Sequence, residues 1–330
     1  MTSAALAELS NNLLYSAMVV YALALLAYAA ELAFSGPRRS RLEVAVEQRE
    51  LAAVGGGSPP TAEPVPASAP GEVAEREGRA QRLGRVAVSL TVLAFALHLG
   101  SAVARGLSAE RVPWGNMFEF SVTGALAVTG AFLVMLTRRD LRYLGTFVVL
   151  PVLLTLGLAV AVLYTESAQL VPALKSVWLV IHVAAAIVAS GILTVAFAQT
   201  VTFLVQERRE RVPAGERTPS FMDRFPAAAA LDRSAYRMHA FAYPIWTFAV
   251  IAGAIWAENA WGRYWGWDPK ETWAFITWMV YTAYLHARAT AGWKGRKAAY
   301  VALLGYATFL FNYLVVNIWL VGFHSYAGVG

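Results

Sequence analysis

The sequence predicts an all-α membrane protein, a polytopic bundle of about eight transmembrane helices with both termini outside. Of its 330 residues, 58% are hydrophobic and only 15% are charged, which is more apolar surface than a soluble core can bury. Several apolar runs reach the roughly 20 residues that a helix needs to cross about 30 Å of hydrocarbon. None alternates polar and apolar residues as the strands of a membrane barrel do.

The apolar runs fix the order of the predicted spans. We expect spans at 13–34, 86–105, 118–136, 143–164, 177–205, 240–257, 272–287 and 299–320. The first run has no basic residues before it, and the basic cluster at 37–41 follows it. It is therefore expected to be retained as an anchor, with its N-terminus outside, rather than cleaved as a signal peptide.

The basic residues support this orientation, because Lys and Arg of short loops stay on the cytoplasmic side. With eight spans, 22 of the 27 Lys and Arg lie inside. The five that remain outside are Arg105, Arg111, Lys175, Arg263 and Lys270. The net charge of +6 follows from this asymmetry and does not indicate a nucleic-acid partner.

Composition divides the chain into three parts. Residues 1–34 form an N-terminal transmembrane helix, and residues 35–85, rich in Ala, Pro, Gly, Ser and Glu, are predicted to be a disordered cytoplasmic linker. Residues 86–330 form a seven-helix membrane domain with a tryptophan-rich outer loop at 258–271. A linker of this length lets us expect the first span to sit loosely beside the other seven.

Two histidines are the first candidates for ligands. The chain has no cysteine, so it can supply no thiol to a metal or to a reaction. His182 lies about five residues into the fifth span, and His324 lies just beyond the eighth, so both are expected at the outer side. An interfacial histidine bonded to solvent or backbone explains either one alone, and their coincidence with the tryptophan-rich loop favours a ligand role.

The other three histidines have simpler explanations. His286 ends the seventh span on the inner side, where the helix dipole favours a histidine. His239 opens the sixth span and is expected at the membrane interface. His98 lies within the second span, where ionisable groups are costly and often functional. A neutral imidazole bonded to a neighbouring helix also explains it.

The outer loop contains the stretch WGRYWGWDPKE at 261–271. Its last four residues fit a helix start, with Asp268 as N-cap, Pro269 at the first helical position and Glu271 as the capping-box acid. These two acids therefore have a structural explanation.

The tryptophans are less easily explained. Trp concentrates at membrane interfaces, but six of the eleven in this chain fall between 256 and 278, among them Trp261, Trp265 and Trp267. Two glycines within the run permit a close approach of backbone to a flat ligand. Aromatic faces and two histidines on one side describe a site for a planar, metal-bearing macrocycle, of which haem with two imidazole ligands is the simplest.

At this point the residues resemble a known family. WGRYWGWDPKETWAF is similar to the WGxxWxWDxxE signature of haem-handling proteins of cytochrome c biogenesis, often called the WWD domain. The order His182, loop, His286, His324 is similar to that of the CcsA/ResC family of system II. The resemblance covers roughly 86–330 and includes WGNMFEFS at 114–121, near the family pattern xxxNxxE.

The resemblance implies that haem b is the substrate. Haem would reach the outer face and be held by the loop, including Trp261, Trp265, Trp267 and Asp268. His182 and His324 would be the axial ligands of its iron. His286 matches the family's intramembrane histidine and would bind haem in transit.

The same resemblance implies a role and partners. The chain would present haem for thioether attachment to the CxxCH motif of apocytochrome c, as one subunit of a holocytochrome c synthase complex in a bacterial plasma membrane. The expected partners are a CcsB/ResB-like membrane protein, thioredoxin-like or CcdA-like thiol-reducing proteins and membrane lipid. Arg263 or Lys270 would pair with the haem propionates, unless each is only a solvated loop charge.

Other functions remain open from the sequence. A CcmC-like haem exporter usually has six spans and a CcmF-like synthase subunit is much longer, so eight spans in 330 residues favour the CcsA type. A haem-containing membrane oxidoreductase predicts a stacked histidine pair within two spans, which the five scattered histidines do not offer. A plain transporter anchored by tryptophans predicts no haem.

Overall fold

The computed structural model describes residues 2–34, 70–167, 175–213, 216–218 and 220–324. In these ranges the long regular elements are all helices, and no strand is present. The predicted fold class, an all-α polytopic bundle, is confirmed.

The helices follow one another with short connections. They are α1 Ser3–Phe34, α2 Pro70–Ser108, α3 Met117–Arg138, α4 Gly145–Val162, α5 Val177–Glu210, α6 Ala228–Trp261, α7 Pro269–Ala289, α8 Arg296–Leu310 and α9 Val316–Trp319. Two 3-10 turns lie at Arg142–Leu144 and Phe221–Arg224. A π-helical turn, Phe311–Val315, joins α8 to the short α9 without a break.

Each of the eight predicted spans corresponds to one long helix, with α8, the π turn and α9 forming the last. Seven of these segments are long and apolar enough to cross a membrane. The helix that does not qualify is α7, because its threonines, tryptophans and first-turn charges lower its mean hydropathy. The chain is a multi-pass membrane protein, and the eighth crossing stays a prediction.

The predicted linker at 35–85 ends earlier than expected, because α2 already begins at Pro70. The part 35–69 lies outside the described residues. The segment from 70 to 85 contains four Arg and three Glu, which are strong helix formers. Composition indicated disorder there because these residues are polar, but their helix propensity lets α2 extend beyond its apolar part.

The expectation of a loosely held first span is wrong, since α1 packs along α2. Tyr21 and Tyr28 of α1 are fully buried, and the Ser10 hydroxyl donates to the carbonyl of Ser101 in α2 at 2.9 Å. Alanines such as Ala87 and Ala94 are buried in α2, and small side chains of this kind let helices approach closely in a membrane. The length of the linker between two helices therefore does not predict how closely they pack.

At the centre of the bundle, α5 packs against α3, α6 and α8. A side chain at Gly191 of α5 would meet the backbone of Ala127 in α3 at 2.8 Å. The two helices therefore touch backbone to backbone. This contact brings the starts of α3 and α5 to the same end of the bundle, where α6 ends and α7 begins.

Candidate functional site

Several segments enclose a cavity of about 200 Å³ at this end of the bundle. They are the starts of α3, α5 and α7, the end of α6 with its following loop, and the π turn with the segment after α9. Polar and aromatic lining residues include His182, His324, Trp256, Trp265, Lys270 and Asn312. The two histidines expected at one side of the membrane thus share one cavity.

His182 is fixed by a hydrogen bond to the neighbouring helix. Its Nδ1 lies 2.7 Å from the carbonyl oxygen of Ala249 in α6. A carbonyl only accepts, so Nδ1 carries the proton and Nε2 of the neutral ring keeps its lone pair. Gly253 permits this position, because a Cβ there would lie 2.7 Å from both Nδ1 and Cε1 of the ring. A one-turn patch of α6 therefore sets the ring's tautomer and place.

His324 is held from the loop side by Asp268. Nδ1 of His324 lies 2.8 Å from Oδ2 of Asp268, and the carboxylate also accepts the amide N–H groups of Phe323 at 2.6 Å and Lys270 at 3.2 Å. Metal-binding histidines commonly have such a carboxylate on their other ring nitrogen. As N-cap of α7, Asp268 therefore also orients the imidazole, a role that its capping function alone did not predict.

The charge on Asp268 is stabilised in place. Burial raises the pKa of Asp268, but the hydrogen bonds from His324 and from the amide of Phe323 outweigh it, so the pKa lies below its ordinary value. The group is an anion at neutral pH and accepts the proton-bearing Nδ1 of His324. Nε2 of that ring, when neutral, is then the nitrogen with a free lone pair.

Trp256 contacts both imidazoles. Its ring lies nearly parallel to that of His182, with centroids 6.2 Å apart and planes 8° apart, and edge-on to that of His324 at 5.6 Å. It is only 2% exposed. Sequence reasoning did not single it out, although it lies within the unusual tryptophan cluster, because only the end of α6 shows which tryptophan turns inward.

The three predicted loop tryptophans have different positions. Trp265 lines the cavity. Trp261 packs edge-on against His324 at 4.9 Å and against Trp256 at 4.8 Å, behind the imidazole. Trp267 is 67% exposed and packs against Trp265 at the rim, so the structure gives it no contact with the space between the histidines.

The glycines of the loop have structural explanations of their own. Gly262 ends α6 in the left-handed conformation, with φ +68°, the usual role of a glycine after a helix. A side chain at Gly266 would overlap the guanidinium of Arg263. Trp267 also has a left-handed φ of +58°, which is unusual for a bulky residue. Trp267 immediately precedes Asp268, the N-cap of α7.

Lys270 brings a cation to the cavity wall. Its ammonium donates to the carbonyl of Asn312 at 3.0 Å and to Oδ1 of Asn317 at 2.8 Å. Burial lowers the pKa of Lys270 to about 7, against the opposing effect of the Asp268 charge. Nothing in the sequence pattern favours Lys270 over Arg263. Asn312 and Asn317 were missed, although asparagines in an apolar run are themselves a signal.

Comparison with known proteins gives this geometry its context. Residues 114–324 match the family model described as cytochrome C assembly protein. The chain belongs to this family. The resemblance to CcsA/ResC proteins is also confirmed, and the membership supports a role in cytochrome c maturation.

Two relatives and one solved structure illustrate the relationship. The cytochrome c biogenesis protein CcsA of Gloeothece citriformis is 35% identical over 291 residues, covering 74% of this chain and 88% of the relative. That of a Synechocystis strain is 33% identical over 274 residues, covering 68% and 82%. The cytochrome c haem lyase CcmF has the same fold, with a TM-score of 0.58 at 18% identity, over 95% of this chain and 47% of the lyase. The chain thus spans about half the length of that protein.

The part that matches the family model begins and ends at cavity residues, Trp114 and His324. Trp114, Asn116 and Met117 line the cavity just before and at the start of α3. Glu119, the other conspicuous residue of that segment, is buried away from it in ion pairs.

These ion pairs explain how the segment is held. Glu119 is 1% exposed and accepts from Arg105 at 3.1 Å and from Arg111 at 2.6 Å. Asn116 caps the helix by accepting the amide N–H of Glu119 at 2.9 Å. The buried acid therefore ties the family's Trp114 segment to α2 rather than contacting the cavity.

The remaining histidines lie elsewhere. His286 is exposed on α7, roughly 22 Å along the helix from Glu271 at 1.5 Å per residue. His98 is fully buried with Nδ1 3.3 Å from the hydroxyl of Tyr21, which fits an imidazole bonded to a neighbouring helix. His239 is 1% exposed beside Thr200, because α6 begins earlier than predicted and continues past it; its position at the membrane interface stays a prediction.

Proposed function

We propose that this chain holds haem b at the outer face of a bacterial plasma membrane, with His182 and His324 as the axial ligands of iron. It presents this haem for covalent attachment to the CxxCH motif of apocytochrome c, as the CcsA-like subunit of a cytochrome c synthase complex. One observation carries the proposal. Both imidazoles line the same cavity, and each has Nδ1 bonded to an oxygen, so Nε2 is left to bind a metal.

Two histidines are sufficient for this metal centre, because the porphyrin supplies the other four nitrogen ligands of iron. Trp256 and Trp265 offer aromatic surface to a flat ring. Strong ligands on both faces of the iron also hinder its reaction with oxygen.

The space for a macrocycle extends beyond the cavity itself. Its volume of about 200 Å³ is below the roughly 300–1,000 Å³ of typical small-molecule sites. An adjoining apolar cavity of about 510 Å³ lies between α3, α4, α5 and α8. The two share Phe120, Ser190, Phe309 and Tyr313, so movement of these side chains joins them into one space.

The chemistry asks the chain for positioning rather than for an acid or a base. Each cysteine thiol of the CxxCH motif adds across one haem vinyl group. Sulfur bonds to the carbon next to the ring and the thiol hydrogen goes to the terminal carbon, so no electrons are gained or lost. Holding reactants in register lowers such a barrier substantially. The lack of cysteine in the chain prevents competition for the same vinyl groups.

Release requires that one axial histidine give way to the histidine of CxxCH. We assign this step to His324, which lies after α9 and is tethered through Asp268. His182 is anchored within α5 and bonded to α6. The exposed His286 serves haem on its way from the inner side, together with a CcsB/ResB-like partner, while thioredoxin-like or CcdA-like proteins keep the apocytochrome thiols reduced.

The proposal is tested by absorption spectra of the purified chain from haem-replete cells. We expect a spectrum of low-spin haem with two imidazole ligands, which His182→Ala or His324→Ala abolishes and added imidazole partly restores. His98→Gln is the matched control, because His98 lies buried between α1 and α2, and it should leave the spectrum unchanged. A haem-free wild type, or a spectrum indifferent to both outer substitutions, would overturn the proposal.

A further inference from the structure

One corner of the cavity contains a cation that lacks a counter-ion. Lys270 lies in the first turn of α7 and lines the cavity. In the part of the chain that the structure describes, its ammonium bonds two neutral oxygens, the carbonyl of Asn312 and the side-chain oxygen of Asn317. Among the described residues it takes part in no ion pair within 4 Å. Lys270 is partly buried, and a charge drawn out of bulk water is normally paired, so an anionic ligand would complete this corner.

The ammonium of Lys270 has a hydrogen-bond donor to offer such a ligand. Asn312, whose main-chain carbonyl accepts from the ammonium, is only 4% exposed and lines the same cavity. It lies in the π turn Phe311–Val315, and such turns often occur at functional sites. An ammonium has three N–H donors, and two of those of Lys270 are used here. The third remains available to a ligand.

The two nearby carboxylates are already engaged with other partners. Asp268 accepts from the imidazole of His324 and from two amides. Oε2 of Glu271 accepts the amides of Gly266 at 2.8 Å and Asp268 at 3.1 Å, while Oε1 of this cavity-lining residue has no hydrogen-bond partner. Both charges therefore stabilise the loop and the start of α7, and neither forms an ion pair with Lys270 within 4 Å.

The other outer-loop cation has a different surrounding. The guanidinium of Arg263 lies 4.4 Å over the ring of Phe323 and against Gly266, in an open groove outside the cavity. The sequence left Arg263 and Lys270 as equal candidates for an anionic ligand. Of these two cations, Lys270 lines the cavity together with His182 and His324, and Arg263 does not.

We propose that Lys270, held in place by Asn312 and Asn317, forms a carboxylate-binding corner that anchors a propionate of the haem. This inference rests on the proposed function, and it adds which edge of the porphyrin enters the corner. The vinyl groups lie on the edge of haem opposite the propionates. An anchored propionate therefore fixes the rotation of the ring about the line joining the two histidines, and with it the direction in which the vinyl groups meet the apocytochrome.

The test compares haem with its dimethyl ester, in which both propionates are uncharged. Each is titrated into the purified chain in lipid nanodiscs, and binding is followed by the absorption of the bis-imidazole complex. We expect wild type to bind haem roughly tenfold to a hundredfold more tightly than the ester, because a hydrogen bond between charged groups contributes that much. Lys270→Met should bind both at the ester's affinity.

Two further variants complete the comparison. Lys270→Arg keeps the charge and should retain the preference for haem. Arg263→Gln removes the cation outside the cavity and should also retain it. If Lys270→Met does not fold, the arginine variant and the wild-type preference still decide. A wild type that binds both porphyrins equally, or a methionine variant with an undiminished preference, overturns the inference.

The outcome also separates this inference from the proposed function. Equal binding of both porphyrins through His182 and His324 would refute the carboxylate corner and leave the axial pair intact. A wild type that binds neither porphyrin, or binds them independently of both histidines, would refute both.

Discussion

Substituting Gly253 by alanine should weaken haem binding without changing any proposed ligand. The added Cβ would lie 2.7 Å from Nδ1 and Cε1 of His182, whereas carbon atoms in contact prefer roughly 3.5 Å or more. The imidazole must therefore withdraw from α6 by roughly 0.8 Å. Its 2.7 Å bond to the carbonyl of Ala249 then exceeds the range of a good N–H···O bond.

The size of the effect follows from that lost bond. Losing the hydrogen bond that orients a metal-binding histidine typically costs tenfold to a hundredfold in metal affinity, or about 1.4–2.8 kcal/mol. We expect a loss of this size for Gly253→Ala in a haem titration followed by absorption. Without the bond from His182, the carbonyl of Ala249 still accepts its hydrogen bond within α6. The melting temperature of the haem-free protein should therefore change little.

The control is Gly157→Ala in α4, where an added Cβ meets nothing within 4 Å. Alanine is favoured over glycine within a helix, so this variant should bind haem like wild type. Wild-type affinity in Gly253→Ala, with the melting temperature also unchanged, would show that the position of His182 against α6 is irrelevant to binding. That result would refute the reasoning.

Three further outcomes are expected. Asp268→Asn should melt at a lower temperature than wild type. Because the folded-state pKa of Asp268 is lowered, this difference in melting temperature should be constant from pH 8 to 5 and shrink as the pH falls below about 4. A difference that grows on acidification would contradict this. Glu119→Gln leaves the buried Arg105 and the partly buried Arg111 without their shared carboxylate and should cost about 3–5 kcal/mol of stability. Glu75→Gln, in an exposed ion pair, is the control and should have no measurable effect on thermal unfolding. Single cysteines at positions 60 and 264 should be labelled from opposite sides of the membrane, and labelling from one side would overturn the eight-span orientation.

The helices were predictable because hydrophobicity determines them almost alone. The span predicted at 118–136 is the helix Met117–Arg138, and the span predicted at 177–205 is the helix Val177–Glu210. The capping box at Asp268 and Glu271 is confirmed as predicted. The helix ends that were missed, such as Pro70 and Ala228, extend into polar sequence, where propensity and not hydropathy continues the helix.

Residue types identified much of the candidate site, but not its contacts. Sequence order was enough to bring His182 and His324 to one side. It did not reveal that Trp256 contacts both, or that Trp267 points to the exterior. These depend on the rotation of α6 at its end and on the left-handed turn before α7, which short-range patterns do not encode.

The choice between Lys270 and Arg263 is of the same kind. Both are single charges in a loop of eleven residues, and hydropathy treats them alike. What separates them is the packing of Lys270 against Asn312, a residue more than forty positions later in the chain. Tertiary contacts of this length are invisible without the fold.

The π turn at Phe311–Val315 has a consequence for how relatives of this chain should be aligned and engineered. Such a turn contains one residue more than an α-helical turn. Deleting a single residue from it would restore a continuous α-helix and rotate everything that follows by about 100° while shifting it by about 1.5 Å. Asn317 and His324 would then face away from the cavity with every side chain intact. Chain length between α8 and His324 is therefore as much a requirement of the site as the histidine itself, and a one-residue gap there should abolish haem binding.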